Sequence, residues 1–390
     1  MKILFDLIST QPIGDSKFHG GSEYGKIVFF QLSKSVTHQE ITCIFDENRP
    51  LDDRLKNVIN ECGFSLVGIQ NLEDINEILK KGNFDKFYSP LPYQLYNIEF
   101  NNTEFIYTIH GLRSIEMPTD YFEYKYVKNL RSLLVFIYKR LFTKRYIDKK
   151  AMEFEKLIRN KNSRIIVPSN HTKFSLMNQF PFLKANQIKV LYSPRKSPLD
   201  SNVNDSIIEK KYNIKEKNYL LLISGGRWIK NSYRAIKAID ELFSSYPDLK
   251  QDVLVLGVKN EKIFKGAIKN KSKFKFMNYV DEVDLELLYK NAFLFVYPTL
   301  NEGFGYPPLE AMKYGTPVAA SAISSVTEVC GDGVIYFNPY SVEEIKNRIL
   351  SVFHSKEIRL NYTELGIKKF EEVSQKQDLM LDELVNIILN

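Results

Sequence analysis

Short apolar runs rich in β-branched and aromatic residues alternate along the chain with longer stretches of helical periodicity. In the first half these runs are KILFDL, ITCIF, KFYSP, EFIYTI, SRIIVP and IKVLY; in the second they are YLLLIS, DVLVLG, FKFMN, FLFVYP, PVAAS and VIYF. Strand-like runs separated by helical segments predict βαβ units and mainly parallel sheets. Between the halves, SPRKSPLDSNVND (193–205) is polar, holds two prolines and has no periodicity, which marks it as a linker. The pattern predicts an α/β protein of two Rossmann-like, doubly wound parallel-sheet domains facing a central cleft. Their expected extents are 1–196 and 206–372, with an amphipathic helix over 373–390 packing back toward the first domain. Ligands of such sheets bind beyond the carboxyl ends of the strands, so the polar groups there are the candidates for chemistry.

After FLFVYPT comes LNEGFGYPPLEAMKYG. Pro307 and Pro308 suit the start of a helix, which puts Glu310 in the first turn and Gly315 just past the last as a C-terminal cap. Gly303 and Gly305 let the backbone approach a ligand closely. The N–H groups of such a helix start favour an anion, whereas the carboxylates of Glu302 and Glu310 accept hydrogen bonds from hydroxyls. Phosphates flanked by polyhydroxyl groups describe a nucleotide sugar. The plainer alternative is a solvated loop acid and a favourably placed helix acid.

A second cluster, GGRWIKN, follows YLLLIS. Gly225 and Gly226 open a turn, and Arg227 and Lys230 offer two cations for a diphosphate. The segment is neither a GxxxxGK[ST] loop nor a GxGxxG fingerprint, and an ordinary basic loop is the competing reading. In the first half, His110 follows the strand FIYTI, where it either faces the cleft or serves structure. Gly20 and Gly21 lie in FHGGSEYG before the helix KIVFFQLSKS, as close-approach positions or simply as turn formers.

At 390 residues the chain suits two or three domains, and 44% hydrophobic with 26% charged residues is the balance of a soluble globular protein. No apolar run approaches the ~18 residues of a membrane span. MKILFDLIST reads as a first strand rather than a signal peptide. Cys43, Cys62 and Cys330 are odd in number and scattered, which argues against a disulfide framework or a zinc site. A cytoplasmic location is expected. The net charge of +7 is concentrated in residues 123–161, where 12 basic residues oppose four acids. As a helix, LRSLLVFIYKRL aligns Leu130, Leu133, Leu134, Ile137 and Leu141 in an apolar stripe, with Lys139, Arg140 and Lys144 largely elsewhere. Packing of that stripe on its own domain, with a solvated basic face, competes with contact to an anionic membrane surface. No recognition motif accompanies the charge, so nucleic acid is not an expected partner.

The block EGFGYPPLEAMKYGTPVAASAISSVTEVCGDGVIYFNP (302–339) resembles the E-x7-E region of the family 4 retaining glycosyltransferases of GT-B fold. Weaker likenesses follow in the same order as in that family: GGSEYG, TIHGL, IIVPSNHTKFSL, GGRWIKN and YVDEVDLELLYKNAFLFVYPT. The resemblance implies that Glu302 holds hydroxyls of the donor sugar and Glu310 the nucleotide ribose. It implies backbone contacts from Gly303, Phe304 and Gly305 to sugar or phosphate, a basic pair of Arg227 and Lys230 on the diphosphate, His110 near the donor sugar, and Gly21 near the phosphates. Three departures stand out. His110-Gly111 replaces the family's His-Asp, Arg227 and Lys230 are more closely spaced than is usual, and SPRK (193–196) replaces its Asn-Gly-Val-Asp.

The expected activity is transfer of a hexose, with retention, from a nucleoside-diphosphate sugar to a saccharide or lipid-linked acceptor in bacterial surface-polysaccharide assembly. Without an Asp-x-Asp triplet the transfer is expected to need no metal, and no cofactor is expected. Same-face attack assisted by the leaving phosphate is the favoured route, and a covalent sugar–enzyme adduct would overturn it. The alternatives are a non-catalytic nucleotide-sugar-binding or scaffold protein on a degenerate GT-B fold, and a phosphorylase-like enzyme, for which the chain lacks length and an evident lysine-cofactor site.

Overall fold

A computed structural model describes residues 1–12, 20–100, 102–160, 162–196 and 205–390. Residues 197–204 of the candidate linker, and Phe18 and His19 of FHGGSEYG, lie outside the described residues. The chain divides into two compact units, one made of 1–115, 147–197 and 374–390, the other of 116–146 and 198–373.

The first unit contains β1 (Lys2–Asp6), β2 (Glu40–Asp46), β3 (Ser65–Ile69), β4 (Lys86–Ser89), β5 (Glu104–Thr108), β6 (Ser163–Val167) and β7 (Ile188–Val190). They form one parallel sheet in the order β3-β2-β1-β4-β5-β6-β7. The second unit contains β8 (Tyr219–Leu222), β9 (Asp252–Val255), β10 (Phe274–Phe276), β11 (Leu294–Tyr297), β12 (Val318–Ser321) and β13 (Ile335–Phe337). These are also all parallel, in the order β10-β9-β8-β11-β12-β13. Each order reverses once, between β1 and β4 and between β8 and β11, and that reversal opens a crevice at the carboxyl ends of the two strands.

All twelve apolar runs form strands. The pattern omits β3, and the reason is physical: in SLVGI only Ile69 is buried, and Leu66 is 39% exposed at the sheet edge. Central strands show the opposite extreme, because helices cover both faces and every residue of YLLL in β8 and LFVY in β11 is buried.

Residues 116–146 belong to the second unit, although they lie in the sequence half that forms the first. A fork-to-fork ion pair secures them: Arg234 Nη2 and Nη1 donate to Asp120 Oδ1 and Oδ2 at 2.9 and 3.0 Å, and both residues are buried. Phe122 packs on Tyr233 with ring centroids 4.5 Å apart, and Asn301 Nδ2 donates to Glu116 Oε2 at 2.9 Å. The expected contiguous domain 1–196 is thus interrupted. Partners more than a hundred residues apart leave no local pattern in the sequence.

Within that excursion the helix Leu130–Leu141 inverts the expected burial. Leu130, Leu134 and Leu141 are 71, 58 and 69% exposed, and the one buried residue of the helix is Lys139, paired with Glu123. The apolar stripe does not pack on its own unit. The closing helix is longer than expected, running Lys356–Leu389, and Leu384, Val385, Ile388 and Leu389 join the core of the first unit.

Candidate functional site

At the β8/β11 crevice two of the charged candidates of the second unit, Lys230 and Glu302, come together. Lys230 ends the short 3-10 turn Trp228–Lys230 that follows β8, and Glu302 lies in the loop after β11. They meet across the strand reversal: Lys230 Nζ lies 2.6 Å from Glu302 Oε1 and donates to Tyr297 Oη at 3.0 Å. Thr299 Oγ1 donates to the same Glu302 oxygen at 2.7 Å, so Oε2 takes part in neither bond. Burial would raise the Glu302 carboxyl, but the charge and hydrogen bond of Lys230, with hydrogen bonds from Thr299 and Tyr297, hold it below the ordinary range. Tyr297 is driven the other way, by burial and then by the charge of Glu302, so it stays a neutral phenol.

The loop bearing Glu302 is fixed from behind. Ser324 Oγ accepts from Glu302 N at 3.0 Å, and Ser325 Oγ donates to the carbonyls of Glu302 and Phe304 at 3.0 and 2.9 Å. Gly305 has φ +108°, a backbone state that side chains rarely adopt, and it leads into the helix Tyr306–Lys313. Gly315, at φ +66°, caps the far end with its N–H on Met312 O at 2.9 Å, as its position in the sequence implies. Tyr297, Thr299, Ser324 and Ser325 were not among the sequence candidates. Hydroxyls that act through a fold contact carry no motif of their own.

Three expectations need correction. The helix begins at Tyr306, so Glu310 lies beyond the first turn, which holds no acid. Pro307 and Pro308 fill the first turn, and each removes an N–H that an anion would have used. The N–H groups of Gly225 and Gly226 donate to Leu256 O and Gly257 O at 2.8 and 3.0 Å. A Cβ on Gly226 would stand 2.6 Å from Gly257 O, so these glycines allow the ends of β8 and β9 to pack closely. Positive charge at this crevice therefore rests on side chains. Lys230 is buried against its partners, whereas Arg227 is exposed.

In the first unit, His110 stands two residues beyond β5. Its Nε2 lies 2.8 Å from Pro90 O, which only accepts, so the proton resides on Nε2. The ring packs edge-on against Tyr24 at 4.6 Å, and the backbone N–H donates to Tyr93 Oη at 2.8 Å. The helix expected at KIVFFQLSKS starts earlier, at Gly20, and Gly21 forms its first turn. A Cβ on Gly21 would come within 3.1 Å of Leu91, so close packing on the loop after β4 selects glycine there.

Residues 204–369 match the family described as "Glycosyl transferases group 1", which spans both the Arg227–Lys230 turn and the Glu302 loop. The matched residues lie within the second unit and make up less than half of the chain. Within the chain, 100 residues are 38% identical to the O-antigen chain mannosyltransferase B of Escherichia coli, covering 26% of each protein. A stretch of 69 residues is 45% identical to the O-antigen chain mannosyltransferase RfbU of Salmonella typhimurium, covering 18% of the chain and 20% of the relative. The chain thus matches about a quarter or less of the length of these two relatives. The crystal structure of Anabaena HepE in complex with UDP-glucose superposes with a TM-score of 0.65 at 15% identity, over 100% of this chain and 99% of that one. That likeness shows the fold, which is GT-B: two Rossmann-like parallel-sheet domains.

Proposed function

We propose that the chain is a retaining glycosyltransferase of family 4 that moves a hexose from a nucleoside-diphosphate sugar to a saccharide or lipid-linked acceptor, without a metal, in bacterial surface-polysaccharide assembly. The observation that carries this reading is the Lys230–Glu302 pair across the β8/β11 crevice, with Arg227 exposed beside it. Lys230 and Arg227 take the diphosphate and neutralise the charge that grows on it as the glycosidic bond breaks. Glu302, kept ionised by Lys230, accepts hydroxyls of the donor sugar through Oε2, and Glu310 accepts those of the ribose. Gly303, Phe304 and Gly305 line the sugar through their backbone. The family resemblance assigns His110 to the donor sugar and Gly21 to the phosphates. The similar O-antigen mannosyltransferases favour a mannose donor and an O-antigen-like acceptor.

A screen of UDP-, GDP-, ADP- and TDP-sugars by thermal shift, with EDTA present, tests the donor and the metal together. A nucleotide at a hundredfold excess over its Kd should add about 2.7 kcal/mol to stability. Failure of all four to bind overturns the reading, and binding without transfer to any acceptor favours the non-catalytic alternative.

Among the described residues no helix is long and apolar enough to cross a membrane. We place the enzyme at the cytoplasmic face of an anionic membrane, held by the exposed leucines of Leu130–Leu141 and by Arg140, Lys144 and Arg145, which are exposed. Lys139 is excluded from that contact by its burial against Glu123. Salt-sensitive sedimentation with phosphatidylglycerol vesicles should be lost when 140, 144 and 145 are neutralised; unchanged sedimentation would remove the membrane from the proposal.

A further inference from the structure

The second unit holds a cavity of about 440 Å³ whose walls include Glu123, Tyr126, Asn129, Arg131, Phe136 and Trp228. This volume is in the range of small-ligand pockets. Trp228 ties it to the crevice, because the same short turn carries Arg227 before it and Lys230 after it. Lys139 fixes the inner wall: its Nζ pairs with Glu123 Oε1 and stands 5.1 Å from the centre of the Trp228 ring.

Two of the residues that line it, Glu123 and Tyr126, each hold a buried side-chain oxygen without a hydrogen-bond partner, and the one on Glu123 is a carboxylate oxygen. Glu123 is only 8% exposed, and its second carboxylate oxygen, Oε2, is buried without a hydrogen-bond partner. Such an oxygen ordinarily costs about 1–3 kcal/mol, and native structures rarely tolerate one without a reason. Its natural complement is a hydroxyl donor. A hydrocarbon chain would leave Oε2 unpaired, and a phosphate would set acceptor against acceptor. A pyranose ring presents hydroxyls at its edge and C–H groups on its faces, matching a carboxylate beside the aromatic rings of Trp228 and Phe136.

We propose that this cavity binds a sugar ring of the acceptor, next to the donor crevice. One hydroxyl donates to Glu123 Oε2, a ring face lies against Trp228, and Asn129 and Arg131, both exposed, serve the outer oxygens. The assignment to the acceptor rests on the transfer reading above.

Trp228 is the only tryptophan of the chain, so its emission reports this cavity directly, apart from any activity. The full chain is titrated with mannobiose, maltose and chitobiose, and with decyl phosphate as an apolar, anionic control. The expected result is a saturable change with at least one disaccharide. Glu123→Gln, which keeps the shape but loses the charged acceptor, should weaken it roughly ten- to a hundredfold. If the lysine left unpaired prevents that variant from folding, Val135→Phe carries the test: it fills the cavity from an exposed helix position and should abolish the change. No response to any disaccharide, a response to decyl phosphate alone, or full binding by the variants overturns the site. The nucleotide screen separates the two claims. Nucleotide binding without a saccharide response sinks the cavity alone, whereas a saccharide response without nucleotide binding sinks the transfer reading and leaves a carbohydrate site.

Discussion

The two sheets reverse order in the same way, yet their crevices are built from opposite chemistry. At the β1/β4 reversal, Asp6 and Ser89 end the two strands, and Ser89 Oγ donates to Asp6 Oδ2 at 2.6 Å with both side chains buried. Burial pushes the Asp6 carboxyl up to about 6, against hydrogen bonds from Ser89 and the backbone of Ile8 that lower it. At the β8/β11 reversal the carboxylate is paired with a lysine and held below its ordinary range. The first crevice closes over a weakly acidic group that serves the fold, and the second keeps an ion pair within reach of a ligand. Topology supplies the two positions, and the identity of four side chains decides which one can do electrostatic work.

The comparison can be broken at several points. The largest effect is expected from Asp120→Ala, which strands the buried Arg234 and should cost about 3–5 kcal/mol in urea unfolding. A loss below about 1 kcal/mol, the value of a surface pair, would detach residues 116–146 from the second unit. Next come Lys230→Ala and Glu302→Ala. Each should lower transfer about 100- to 1,000-fold while circular dichroism stays that of the folded chain. Near-normal transfer by both would end the assignment of the second crevice.

Asp6→Asn sharpens the contrast through pH. The folded-state value of about 6 lies above the ordinary 3.8, so the contribution of Asp6 to stability is full below 3.8 and is lost as the pH rises through 6. Above that, the buried charge is a burden, and Asn should raise stability at pH 8 by up to about 3 kcal/mol, with little gain at pH 4. Glu302 has the opposite sign: its contribution is present above the ordinary carboxylate range and lost as the pH falls through its lowered value. A Glu302→Gln variant should therefore gain relative to the parent on acidification, and equal pH profiles for the two variants would refute the contrast. The smallest effect is expected from Gly305→Ala, about 1–2 kcal/mol of backbone strain at φ +108°. No change in melting temperature would show that the loop relaxes.

Much of the architecture was readable before any coordinates. Strand runs such as FLFVYP, buried on both faces, announce themselves by composition, and the positions of Lys230 and Glu302 after two of them mark a ligand site. Glu310 was misplaced by less than a turn, because proline pairs tolerate more than one helix start. Gly225 and Gly226 were read as opening a turn beneath two cations, and the close approach of the neighbouring strand end, which also requires glycine, left no sign in the sequence. Ser324 and Ser325 were invisible, since a hydroxyl that holds a loop twenty residues away has no spacing rule.

The sequence by itself determined two parallel α/β sheets, where their strands end, and the presence of carboxylates and cations at those ends, because hydrophobic period and turn residues are local properties. The tertiary structure alone decided that residues 116–146 join the second unit, that a lysine and not the leucines of Leu130–Leu141 is buried, and that Lys230 meets Glu302. Each of these depends on which distant group neutralises a charge removed from water, and that partner is chosen only when the chain has folded.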